Sequence, residues 1–188
     1  MKPRDEAKAR DILAATLKEV EAVGLAGLSM EAVARRAKVA TGTLYIYFKN
    51  KEALIDALYL ATKREVASLV FKQPDLPVRA AFQRMCVAFL EYLVEHQAEI
   101  VFMSQVANSP YLTDETRAEA AMGARPLTEL LERGRRELLL KELDTPFMLA
   151  FLQGTMRELA ALAAAEPRAR RAERFEQIAT LCWDALKA

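Results

Sequence analysis

Thr41-Gly42-Thr43-Leu44-Tyr45-Ile46-Tyr47-Phe48-Lys49-Asn50-Lys51-Glu52 begins as a short helix and runs into the start of a longer one. Leu44 and Phe48 are four residues apart, so they share one helical face and can turn inward together. Thr41, Thr43, Tyr45 and Tyr47 then stand on other faces with their hydroxyls outward. Gly42 removes a side chain and so lets another backbone come close. Asn50 is a good cap for the longer helix, with Glu52 in its first turn facing the positive end of the dipole. Lys49 and Lys51 place two cations directly beside the short helix.

Upstream, apolar residues recur at Ile12, Leu13, Leu17, Val20 and Val23, the spacing of an amphipathic helix from about Asp5. Gly24 and Gly27 are expected to end it. Ser29 precedes Met30-Glu31-Ala32-Val33-Ala34, where its hydroxyl can cap a second helix that ends near Ala37-Lys38. Two short helices joined by a tight turn form a candidate helix-turn-helix, in which the second helix lies in the DNA major groove. Hydroxyls bond phosphates and base edges, and helix N-terminal amides favour phosphate. Lys49, Lys51 and an arm carrying Lys2 and Arg4 would neutralise phosphates and make binding salt-sensitive.

Charge follows the same division. The net charge of +1 combines +4 over residues 1–51 with −3 over the remainder. A small basic module on a mildly acidic body is a pattern of nucleic-acid binders.

Downstream, helical stripes run from Asn50 to about Phe71, from 77 to 95, and from His96-Gln97 to a stop at Asn108-Ser109-Pro110. Gln73-Pro74-Asp75-Leu76-Pro77 is a break between the first two. A segment from Thr113 to Leu139 is expected to be one helix kinked at Gly123 and Pro126. Helices from Asp144 to about Ala165 and from Arg168 to Leu186 complete the chain. No stretch alternates with period two, so the expectation is an all-α fold of about nine helices and no strands.

The DNA-reading stretch and its surroundings resemble the tetracycline-repressor (TetR) family. The likeness lies in Ile12-Leu13-Ala14-Ala15, Gly24, Leu28-Ser29-Met30-Glu31-Ala32-Val33-Ala34, Val39, and Gly42 through Leu54. It covers about a quarter of the 188 residues. The resemblance implies a helix-turn-helix domain over residues 1–50, a linking helix from about 51, and a ligand-binding and dimerisation domain over 51–188. It implies a DNA-binding transcriptional regulator, commonly a repressor, released from a palindromic operator by a small effector. Carried over by position, Ser29 caps the second helix, Thr41 and Thr43 touch bases or phosphates, and Tyr45, Tyr47 and Lys51 touch phosphates, beside Gly42 and Lys49. The sequence departs from the family pattern at Lys38, where glycine is frequent, and at Ala40, which cannot cap the recognition helix, so that Thr41 substitutes or the helix is shorter. Ile46 is apolar on a face that meets DNA, within reach of a thymine methyl.

Apolar side chains in the second domain are chiefly core. A subset is expected to line an effector cavity: Met85, Phe89, Tyr92, Phe102, Met103, Gln105, Met122, Phe147 and Phe151, because pockets between helices are mostly apolar with a few polar groups. The effector is then lipophilic, such as a fatty acyl derivative or a hydrophobic drug. Phe175, Ile178, Leu181 and Leu186, facing Phe147, Phe151, Gly154 and Leu162, give the last two helices an apolar face, which the resemblance assigns to a homodimer.

Other classes have less behind them. Of the cysteines only Cys86 and Cys182 are present, and His96 is the single histidine. No metal site, cofactor, phosphate loop or nucleophile-base pair is expected, and no enzyme. The competing reading is a helical carrier or enzyme with a vestigial helix-turn-helix. No apolar run approaches the roughly 20 residues of a membrane span, and the N-terminus lacks a signal-peptide core, so a cytoplasmic protein with no membrane partner is expected.

Overall fold

The structure, a computed structural model, describes residues 3–70, 76–107 and 109–188. Among the described residues there are ten helices: α1 (Pro3–Gly27), α2 (Met30–Arg36), α3 (Thr41–Tyr47), α4 (Lys51–Val70), α5 (Val78–Glu95), α6 (Gln97–Ala107), α7 (Asp114–Met122), α8 (Arg125–Arg136), α9 (Thr145–Ala164) and α10 (Arg168–Leu186). Among the described residues the only extended pairing is an isolated antiparallel bridge between Leu140 and Lys187.

The expected helix from Thr113 to Leu139 is two helices, which accounts for the tenth. Gly123 lies in a turn, and Pro126 falls in the first turn of α8. There its missing N–H leaves no hydrogen bond unmade, so proline starts a helix here instead of bending one. α1 does not stop at Gly24. That residue kinks it (φ 71°, ψ 171°), and one further turn runs to Gly27. Arg4 belongs to the first turn of α1, not to an arm before it. Lys2, residues 73–75 of the expected break and Asn108 lie outside the described residues.

The chain forms two compact units. The first holds the chain up to Arg64 together with Gln97–Ala121. Here α1 packs on α2 and α6, and α2 on α3. Its core joins Ile12, Val33, Leu44, Leu54, Ile55 and Phe102, all essentially sealed from solvent. The second holds Glu65–His96 and Met122–Ala188, with α5 packed on α8, α9 and α10. Phe82 and Trp183 meet edge to face inside it, with centroids 5.4 Å apart. Close packing has a specific consequence at Gly134 on α8, where a Cβ would lie 2.5 Å from Leu140 Cδ1. Only glycine lets that leucine in.

Candidate nucleic-acid interface

The first recognition element is held by local chemistry. Ser29 has an extended backbone and its hydroxyl accepts from the Ala32 amide at 3.2 Å, which satisfies one of the free amides at the start of α2. At the other end of α2 the chain reverses through Lys38, which has φ 56°. The Val39 amide donates to the Ala34 carbonyl at 2.9 Å and the Lys38 amide to Arg35 at 3.2 Å. This pair of bonds is the Schellman arrangement, whose turn residue is usually glycine. Lysine fills it here at a conformational cost of roughly 1–2 kcal/mol.

α3 starts at Thr41 with no side-chain cap. The Thr43 and Leu44 amides both point to the Ala40 carbonyl, at 2.9 and 3.2 Å. The helix is therefore neither shortened nor capped by Thr41. Ala40 closes it through backbone alone. Leu44 and Phe48 are buried as their spacing requires, while Tyr45 and Ile46 remain 47% and 81% exposed. Gly42 and Lys49 are exposed, and Thr41, Thr43 and Tyr47 half-buried. At the start of α4 the Asn50 carboxamide oxygen accepts from the Ala53 amide at 2.8 Å, the expected cap.

Two of the residues expected at phosphates also have partners inside the protein. The Tyr47 hydroxyl donates to the Asp5 carboxylate across 3.4 Å, tying α3 to α1. Partial burial, then the nearby negative charge of Asp5, push its pKa above the ordinary 10.0, so it is a neutral donor near neutral pH. Lys51 Nζ donates to the Ala26 carbonyl at 3.4 Å and sits 5.1 Å from the centroid of the Tyr111 ring. Such contacts orient a lysine without cancelling its charge. Arg35 and Lys38, absent from the sequence-derived site, stand exposed beside the turn. Their place next to the predicted turn was the signal that would have included them.

Residues 12–58 match the bacterial regulatory proteins of the tetR family, and residues 77–187 match the tetracyclin repressor-like C-terminal domain. The chain belongs to the TetR family. Among curated relatives, this TetR-family chain is 28% identical over 130 residues to the uncharacterized HTH-type transcriptional regulator YhgD of Bacillus subtilis, an alignment covering 68% of this chain and 61% of that protein. The chain thus spans about three-fifths of that relative's length. A TetR-family regulator from Marinobacter aquaeolei has the same fold, with a TM-score of 0.87 at 24% identity over 100% of this chain and 99% of the other. The corresponding values for one from Shewanella sp. PV-4 are 0.84 and 24%, over 96% and 98%.

In this TetR-family chain the nine effector-site candidates are scattered. Met85, Phe89 and Tyr92 lie along α5 in the second unit, with Met85 and Tyr92 buried. Phe102, Met103 and Gln105 lie on α6 in the first unit, where Phe102 is sealed in the core and Gln105 faces solvent. Met122, the last residue of α7, is exposed. Phe147 and Phe151 line an open cleft of about 530 Å³ with Leu143, Met148, Ala185 and Leu186, rimmed by Glu142 and Asp144. None of the other seven lines that cleft.

The same two phenylalanines belong to a solvent-facing apolar surface of α9 and α10. Phe147, Phe151, Leu162 and Leu181 are all exposed, and a Cβ at Gly154 would touch nothing within 4 Å. Among the described residues, no helix is long and apolar enough to cross a membrane, and no group of three or more His, Cys, Asp or Glu is placed to hold a metal ion.

Proposed function

We propose that the protein is a cytoplasmic, homodimeric repressor that a small lipophilic effector releases from a palindromic operator. The observation that carries this reading is the outward face of α3. Tyr45 and Ile46 project from it and Thr43 stands beside them, with exposed cations Arg35, Lys38 and Lys49 around the helix. Hydroxyls and cations at the flanks suit phosphates, while the helix itself is slim enough for the major groove. Residues 1–50 are assigned to reading DNA, with Ser29 acting through the α2 cap. Residues 51–188 are assigned to assembly and effector binding.

The exposed face of α9 and α10 supports the dimer, because Phe147, Phe151, Leu162 and Leu181 are large apolar side chains left exposed on these two helices. In this reading the dimer presents its two copies of α3 to half-sites about 34–36 Å apart, one turn of DNA. Phe147 and Phe151 serve that face in this reading. The effector is assigned to the apolar interior around Met85, Phe89 and Tyr92, where methionine adapts to varied shapes. A ligand that favours badly spaced reading heads by about 1–3 kcal/mol lowers operator affinity about 5- to 150-fold.

The test is selection of binding sites from random duplex DNA, followed by sedimentation of the protein with and without the enriched duplex. An inverted repeat with half-sites one turn apart, bound by a dimer, supports the proposal. A monomer, or a site without two-fold symmetry, contradicts it. Release of that duplex by fatty acyl derivatives or hydrophobic drugs, set against polar metabolites, tests the effector class.

A further inference from the structure

We propose that Ile46 reads a base, and that the base it reads is thymine, through the C5 methyl group. The inference rests on α3 being the element that enters duplex DNA, and adds which base it selects.

Successive residues of a helix are turned by about 100°, so Ile46, two residues on, points about 160° away from the buried Leu44. It therefore forms the apex of the face that points away from the protein, and Tyr45, Thr43 and Tyr47 fall to its sides. Its exposure agrees: at 81% it is the most exposed large apolar side chain among the described residues. Gly42, one turn earlier, is open to solvent, and a Cβ there would meet nothing within 4 Å. The approach to Ile46 is thus unobstructed.

The chemistry of the side chain then narrows the occupant. Isoleucine has no donor or acceptor, so it gains nothing from the hydrogen-bonding edges of guanine, adenine or cytosine. The thymine methyl is the one apolar feature that the major groove presents. A β-branched side chain is held to few rotamers, so it loses little freedom on contact. Arg35 and Lys38, at the end of α2 and in the turn before α3, and Lys49, just after α3, are exposed and complement the charge of a phosphate backbone, which favours DNA over an apolar protein groove as the surface that covers Ile46. Tyr45 and Tyr47 then set the depth and register of α3, and the apolar apex adds a base preference to that of Thr43.

The experiment uses the full chain and the duplex enriched by selection. Each thymidine in one half-site is replaced in turn by deoxyuridine, which removes only the methyl group, and binding is followed by fluorescence anisotropy. At one or two positions per half-site the wild type is expected to bind the deoxyuridine duplex about fourfold more weakly, the effect of one buried methyl group. Ile46→Ala is expected to lose that discrimination at the same positions while keeping the wild-type circular dichroism. Ile46→Asn is expected to shift the preferred base there toward adenine. Equal affinity for thymidine and deoxyuridine at every position overturns the inference and leaves the DNA-binding reading intact. So does a deoxyuridine effect that persists unchanged in Ile46→Ala. If no duplex is enriched, the reading of α3 falls and the assignment of Ile46 falls with it.

Discussion

Arg36 on α2 donates through Nε to the Glu19 carboxylate on α1 at 2.6 Å, and the glutamate side chain is only 11% exposed. This bond sets α2 against α1 within the first unit. Its two ends are unequal, because Arg36 reaches water and Glu19 does not. Removing the arginine strands a nearly buried anion, whereas neutralising the glutamate leaves a cation that solvent can still receive. Arg36→Ala is therefore expected to lower stability by about 1–3 kcal/mol, and Glu19→Gln by less than half of that. Urea unfolding midpoints of the two variants check the order. Equal midpoints would show that the pair contributes no more than an exposed surface ion pair.

Gly134 is the most tightly packed glycine among the described residues. The Cβ of an alanine there would lie 2.5 Å from Leu140 Cδ1 and 3.2 Å from Val78 Cγ1. Leu140 is buried and its backbone pairs with Lys187, so it has little room to withdraw. Gly134→Ala is expected to destabilise the protein by about 1–3 kcal/mol, outweighing alanine's better helix propensity. Combining it with Leu140→Ala tests the cause, since the double variant then loses less than the two single losses combined.

Leu138 has φ 57° and follows α8 as Lys38 follows α2. The Leu139 amide donates to Gly134 at 2.9 Å and the Leu138 amide to Arg135 at 2.9 Å, the same double turn. Leu138 is also exposed, so little packing is lost on truncation. Leu138→Gly is expected to raise stability by about 0.5–1 kcal/mol and the melting temperature by about 1–4 °C. Leu138→Val, β-branched at positive φ, moves it the other way. Differential scanning calorimetry of the three forms is the measurement.

Cys86 and Cys182 are both buried. Burial pushes the Cys182 thiol from 9.0 up to about 11, and pushes Cys86 well above 9.0, with Cys182 a smaller cause. The folded state holds its thiol protons where the unfolded chain releases them, so this contribution to stability is complete below pH 9.0 and is lost as pH rises from there to about 11. A chromogenic thiol reagent at pH 8 is expected to label neither cysteine until denaturant is added. Prompt labelling of the native protein would contradict the burial.

The parts legible in the sequence were the local ones. Ser29 and Asn50 cap their helices because a cap needs only a side chain and an amide a few residues on, and the Leu44–Phe48 spacing fixes which face of α3 turns inward. Pro126 marked an interruption, but whether proline bends a helix or begins one depends on the turn before it. Lys38 and Leu138 hid their left-handed turns because neither is glycine. Tyr47 and Lys51 read as free DNA contacts, since their partners Asp5, Ala26 and Tyr111 are brought near only by tertiary folding. The effector candidates dispersed for the same reason: Phe102 and Met85 have similar chemistry, and sequence spacing does not say that they belong to different units.

The claim on which the account depends is that α3 enters duplex DNA. Its most direct test is fluorescence anisotropy of the selected duplex and a scrambled one, titrated at fixed salt with the wild type, Tyr45→Ala and Thr43→Ala. The wild type is expected to prefer the selected duplex by at least about 10³-fold. Tyr45→Ala then weakens both duplexes alike, and Thr43→Ala narrows the difference between them. Three proteins with indistinguishable affinities for both duplexes would contradict the account.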